Sequence, residues 1–137
     1  MKLKSLLTLL CAFSLGFTVN AADDDTPLSK EMSAMNKSLR LIKRQLPDAS
    51  KKAENLELLA KIKKNLDESH KLEPVKTKDQ SDKPAYTKKF QEQIVELGKA
   101  MGALEEAIKV DNQEAAKTAL DQIQKLKEKG HETFEVE

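Results

Sequence analysis

PAYTKKFQEQIVELGKAMGALEEAIK, residues 84–109, is the stretch whose reading decides the fold. Tyr86, Phe90, Ile94, Leu97, Met101, Leu104 and Ile108 recur at steps of four and three, which is the spacing of one apolar stripe along a helix. Lys, Glu and Gln fill most of the positions between them and leave the opposite face solvated. Pro84 suits a helix's first turn, where the missing N–H costs nothing. A helix with a single stripe is stable only when that stripe is covered, so the rest of the chain must supply partners.

It supplies three. Leu28, Met32, Met35, Leu39, Ile42 and Leu46 repeat the same spacing, with Thr26 as candidate N-cap, Pro27 in the first turn and Pro47 as the stop. Ala53, Leu56, Leu59, Ile62, Leu66 and then Ser69 or His70 form a second inner face, capped by Asp48 or Ser50 and closed by Pro74. The polar run from Val75 to Lys83 reads as the longest loop. Asp111 with Glu114 resembles a capping box, which starts a last helix near Asn112 or Gln113. Its stripe is Ala116, Ala119, Ile123, Leu126, Gly130 and Phe134. The expected fold is all-α, an antiparallel up-down-up-down four-helix bundle. In that order the starts of the first and third helices share an end with the finishes of the second and fourth. Met32, His70, Phe90, His131 and Phe134 are therefore expected at one end of the bundle.

Lys2 and Lys4, followed by an apolar run from Leu6 to Val19 and by Val19-Asn20-Ala21, read as a secretory signal peptide cleaved after Ala21. The run is short for a membrane span and meets Asp23-Asp24-Asp25 rather than a basic flank. The bundle domain is thus residues 22–137, with no membrane attachment after cleavage. Cys11 lies inside the signal, so the mature chain has no disulfide, no thiolate metal site and no Cys nucleophile. Export without disulfides suits a bacterial periplasm. Cleavage takes Lys2 and Lys4 from 24 basic residues and nothing from 23 acidic ones, which leaves a net charge near −1. There is no basic stripe, and nucleic acid is not an expected partner.

Little catalytic chemistry is encoded. There is no HExxH, Gly-rich phosphate loop or nucleophile elbow, and no enzyme is expected. Asp67-x-x-His70 and Glu128-x-x-His131 echo the Glu-x-x-His pairs of di-iron bundles, but the inner faces of the first and third helices offer no carboxylate to complete such a site. Met32 alone reads as core filling and His131 alone as a residue of a helix's last turns. Together, at one end of a bundle, they are a thioether and an imidazole within reach of a common metal. Gly130 beside His131 has two readings: a helix that frays there, or a space where a flat ligand approaches the backbone.

The chain from residue 22 onward resembles the cytochrome b562 family of periplasmic four-helix haem proteins. The resemblance is carried by the signal ending in Ala21, the short acidic lead, the segment from Leu28 through Met32, Met35 and Asn36 to Leu39, the Leu66-Asp67 to Pro74 close of the second helix, Lys89-Phe90 opening the third, Glu106-Ala107-Ile108-Lys109 ending it, and His131 near the terminus. It implies one noncovalent haem b per chain, with Met32 and His131 as axial ligands and Phe90, Ile94 and Phe134 against the macrocycle. The attachment frame of covalent relatives reads Lys127-Glu128-Lys129-Gly130-His131 here, without cysteine. The implied activity is one-electron transfer with redox partner proteins, as a monomer. Two other readings compete: a non-haem periplasmic helical interaction or chaperone-like module, and copper or zinc held by Met32, Met35, His70 and His131.

Overall fold

The computed structural model describes residues 26–135. The expected signal segment and its cleavage point after Ala21 lie outside the described residues. Four helices follow in order: α1 (Pro27–Gln45), α2 (Lys52–His70), α3 (Lys83–Lys109) and α4 (Gln113–Phe134). No strand occurs among the described residues, and none of these helices is long and apolar enough to cross a membrane. The fold is an all-α four-helix bundle.

Each helix starts where its sequence has a reason to start. The Thr26 side chain accepts a hydrogen bond from the Ser29 backbone N–H at 3.1 Å, and Pro27 follows at the first helical position. Asp82 caps α3 by accepting from Ala85 N–H at 3.0 Å. The start of α4 is capped one residue later than the sequence pattern suggests. Asn112, not Asp111, accepts from Ala115 N–H at 3.0 Å. Asp111 instead takes a left-handed backbone (φ 56°) and presents its carboxylate to Lys52 Nζ at 2.8 Å. Asp48 caps a short 3-10 turn, Ala49–Lys51, and α2 itself begins without a side-chain cap. The expected loop after Pro74 contains a second 3-10 turn, Val75–Asp79, anchored by buried Thr77.

The stripes become the core. Leu28, Met32, Met35, Leu39 and Ile42 of α1, Leu59, Ile62 and Leu66 of α2, Phe90, Ile94, Leu97, Met101, Leu104 and Ile108 of α3, and Ala116, Ala119, Ile123 and Phe134 of α4 form one buried cluster. The inner face of α2 differs from the expected one. Ala53 is exposed and Asn55 is buried in its place, its side-chain oxygen without a hydrogen-bond partner.

Helix ends meet as an up-down-up-down order requires. Lys52, at the start of α2, donates to the Lys109 carbonyl at the end of α3 (2.6 Å), and Gln113, at the start of α4, donates to the Leu46 carbonyl just past α1 (2.8 Å). At the other end Gln91 of α3 donates to the His70 carbonyl closing α2. Tyr86 donates to the Thr133 carbonyl of α4, and Lys76 pairs with Glu135. The closely packed helix pairs are α1–α2, α2–α3 and α3–α4; α1 and α4 do not form such a pair.

Two substitutions check the core with opposite signs. Leu104 is fully buried, and Leu104→Ala should lower the unfolding free energy by about 2–5 kcal/mol. Asn55→Leu removes an unpaired buried acceptor and should raise it by about 1 kcal/mol. Urea unfolding followed by circular dichroism reads both. A lower midpoint for Asn55→Leu would contradict the burial of an unsatisfied oxygen there.

Candidate functional site

The missing α1–α4 pairing leaves a cleft. It is lined by Met32, Met35 and Asn36 of α1, by Phe90, Gln93, Ile94 and Leu97 of α3, and by Leu126, Lys127, Gly130, His131 and Phe134 of α4. α3 thus forms its floor, and α1 and α4 form its walls. Its cavity volume is about 30 Å³, room for about one water molecule, so a larger ligand would have to part the α1 and α4 walls. The seam between its walls is closed at the far end of the bundle, where Gln113 holds the Leu46 carbonyl.

Local sequence explains the shape. Near the closed end α4 presents Ala116 and Ala119, small side chains that let helices approach. Toward the open end its stripe passes through Leu126 to Gly130 and Phe134. Gly130 contributes no side chain to the wall, and a Cβ placed there would meet only the Gln93 side chain, at 3.9 Å. That is ordinary van der Waals distance, so the glycine is not demanded by crowding. Nor does it fray the helix, since α4 continues unbroken to Phe134.

Phe134 closes the bottom of the open end. Its ring packs edge-on against Phe90 (centroids 5.3 Å apart, planes at 78°) and against Tyr86 (5.3 Å, 69°). Such pairs contribute about 0.5–1.5 kcal/mol each beyond burial. Burial holds the Tyr86 hydroxyl above the usual phenol range. Phe90 and Phe134 are almost wholly buried, and Ile94 one turn beyond Phe90 lies beside them.

The structure brings together all five residues singled out as the site: Met32, His131, Phe90, Ile94 and Phe134 line one cleft. It separates His70 from them. His70 is at the same end of the bundle but borders an open surface groove between α2 and α3, with Lys88, Gln91 and Val95. Among the described residues no group of three or more His, Cys, Asp or Glu is placed to hold a metal ion.

Two polar features of the cleft are not legible from spacing. Asn36 is one turn beyond Met32, and its side-chain oxygen is buried without a hydrogen-bond partner. Lys127 is partly buried in the α4 wall. Burial, and secondarily the charge of Arg40 from α1, hold its ammonium below the usual lysine range, while Glu128 opposes the shift. Gln93, by contrast, is satisfied: its amide donates to the Leu126 carbonyl at 2.8 Å.

The site is thus an apolar end cleft of an all-α bundle, walled by a methionine on the first helix and a histidine on the last. The family model described as cytochrome b562 matches residues 27–135, and the chain belongs to the cytochrome b562 family. That family consists of haem b-binding helical electron carriers, not catalysts. Searches of curated proteins and of solved structures return no match.

The residues present suit a haem. The walls are predominantly apolar, the two candidate donors stand on opposite walls, and Gly130 leaves the α4 wall bare beside His131.

Lys127 and Gly130 give two measurable consequences. A lysine depressed in the folded state binds its proton more tightly when unfolded, so stability rises with pH toward the ordinary lysine range. Lys127→Met should therefore raise the thermal midpoint near neutral pH, and the gain should shrink as pH rises through that window. Gly130→Ala should stabilise the ligand-free protein by about 0.5–1 kcal/mol through helix propensity. A loss of stability instead would mean that the wall cannot accept a methyl group.

Proposed function

We propose that this chain is a periplasmic one-electron carrier that binds one haem b noncovalently, with Met32 and His131 as the axial ligands. One observation carries the reading: in a chain of the cytochrome b562 family, Met32 and His131 stand on the opposite walls of a single apolar cleft. The periplasmic assignment rests on the signal-like segment of residues 1–21. The noncovalent attachment rests on the sequence, whose one cysteine, Cys11, falls within that segment.

Haem, when bound, supplies an iron that exchanges one electron reversibly. The chain's own residues set the conditions. His131 would offer an imidazole nitrogen from α4, and Met32 a thioether from α1. An iron held by both side chains would be closed to oxygen and to a substrate. Met32 also favours the reduced state over the oxidised one, because a thioether is a soft, weakly donating ligand. Phe90, Ile94 and Phe134 exclude water from the inner edge of the cleft. Lys127 and Arg40, at the α1–α4 seam, are the cations available to carboxylates there. The packed core that holds Met32 would limit movement of the donors if the bound group changed its charge. In this reading the protein works as a monomer, exchanges electrons with partner proteins and binds no nucleic acid.

Titration of the protein with haemin should saturate at one per chain and give a six-coordinate, low-spin absorption spectrum. Met32→Ala and His131→Ala should each abolish that spectrum and leave a species with one fewer protein ligand. If both variants give the parent's spectrum, the ligand assignment is wrong. If the parent takes up no haem, the function is wrong.

A further inference from the structure

The cleft contains more ligating capacity than the haem reading uses. Met35 follows Met32 by three residues on α1, so the two thioethers stand on adjacent turns of one helix face. Both side chains are buried (Met32 7 % exposed, Met35 2 %), and both line the cleft that His131 enters from α4. We propose that the protein, when free of haem, binds one Cu(I) ion in this cleft through the thioethers of Met32 and Met35 and the imidazole of His131.

The choice of ion follows from the donors and their surroundings. Two thioethers and an imidazole are soft, neutral ligands, which select Cu(I) over magnesium, calcium or manganese. No Asp, Glu or Cys lines the cleft, so a divalent ion would keep its full charge in an apolar setting. A single positive charge is the least costly there. Asn36, one turn from Met32 on the same wall, has a buried side-chain oxygen without a hydrogen-bond donor, an acceptor left over in the lining of the cleft. Lys127 in the α4 wall opposes binding electrostatically, which further favours an ion of single charge. The remaining candidate ligands are excluded by position. His70 borders the groove between α2 and α3, and Met101 is fully buried and does not line the cleft.

The proposal shares Met32 and His131 with the haem reading but requires Met35, which that reading does not. This separates the two experimentally. The full chain, purified free of haem, is titrated anaerobically with Cu(I) supplied as its acetonitrile complex, with bicinchoninate as the competing chromophore. One Cu(I) per chain is expected, and haemin should displace it. Met35→Leu conserves volume and should weaken Cu(I) binding at least about tenfold, or about 1.4 kcal/mol, a larger factor than its effect on haemin affinity. Met32→Leu and His131→Ala should weaken both. His70→Ala and Met101→Leu should change neither. X-ray absorption of the parent complex should show two sulfur neighbours and one nitrogen. Parent-like Cu(I) affinity in Met35→Leu overturns the proposal, as does a shell with fewer than two sulfurs. Failure of haem uptake with Cu(I) binding retained would sink the haem reading and leave this one standing.

Discussion

The arrangement depends on burying the apolar stripe of α3. This is the longest helix, Lys83–Lys109, and it packs closely on both α2 and α4. Phe90, Met101 and Leu104 are almost completely removed from water, and each large side chain so buried is worth about 1.5–3 kcal/mol of transfer free energy. The other helices are arranged around that gain. α1 reaches the core chiefly by packing on α2, and its inner residues then meet the α3 face directly. A bundle built on one spine does not need all four neighbouring contacts to be close. The α1–α4 seam is where this bundle leaves one open.

That seam is asymmetric by composition. Near the closed end alanines on α4 permit close approach, and side-chain hydrogen bonds from Lys52 and Gln113 to the last carbonyls of α3 and the first connection tie the helix ends together. At the other end the bulky residues are drawn into an aromatic cluster under the cleft, and a glycine stands where α4 would otherwise fill it. Two uncompensated polar groups sit at the cleft, while Gln45, Asn55 and Thr77 keep unpaired buried atoms elsewhere. An unpaired Asn36 oxygen and a partly desolvated Lys127 both cost stability.

Most of the fold could be read from the chain, because helical periodicity is a property of neighbours in sequence. The four stripes, the Pro27 and Pro84 starts and the Thr26 cap needed no tertiary information. Which residue caps α4 did need it: Asp111 looks like a cap until Lys52, far away in sequence, takes its carboxylate and Asn112 inherits the role. The first turn of α2 misleads for another reason: Asn55 keeps the four-residue step to Leu59 but is polar, and the apolar Ala53 nearby draws the reading away from it. For the site, helix order predicts which end a residue occupies but not which side of that end. His131 and Met32 therefore fell together as expected, while His70 reached the same end and faced outward. The weakened proton affinity of Lys127 comes first from its burial and then from the charge of Arg40 across the seam, and no motif marks it.

The connectivity gives the open seam a mechanical meaning. Its two walls are the first and last helices, so nearly the whole described chain lies between Met32 and His131. A guest gripped by both converts a linear string of helices into a ring. Peeling either terminal helix away, the easiest route by which a bundle comes apart, would then break the grip first. Occupancy of the cleft is thus also a latch on the two ends of the polypeptide, and tension applied between the termini would run through the guest before it reached the core.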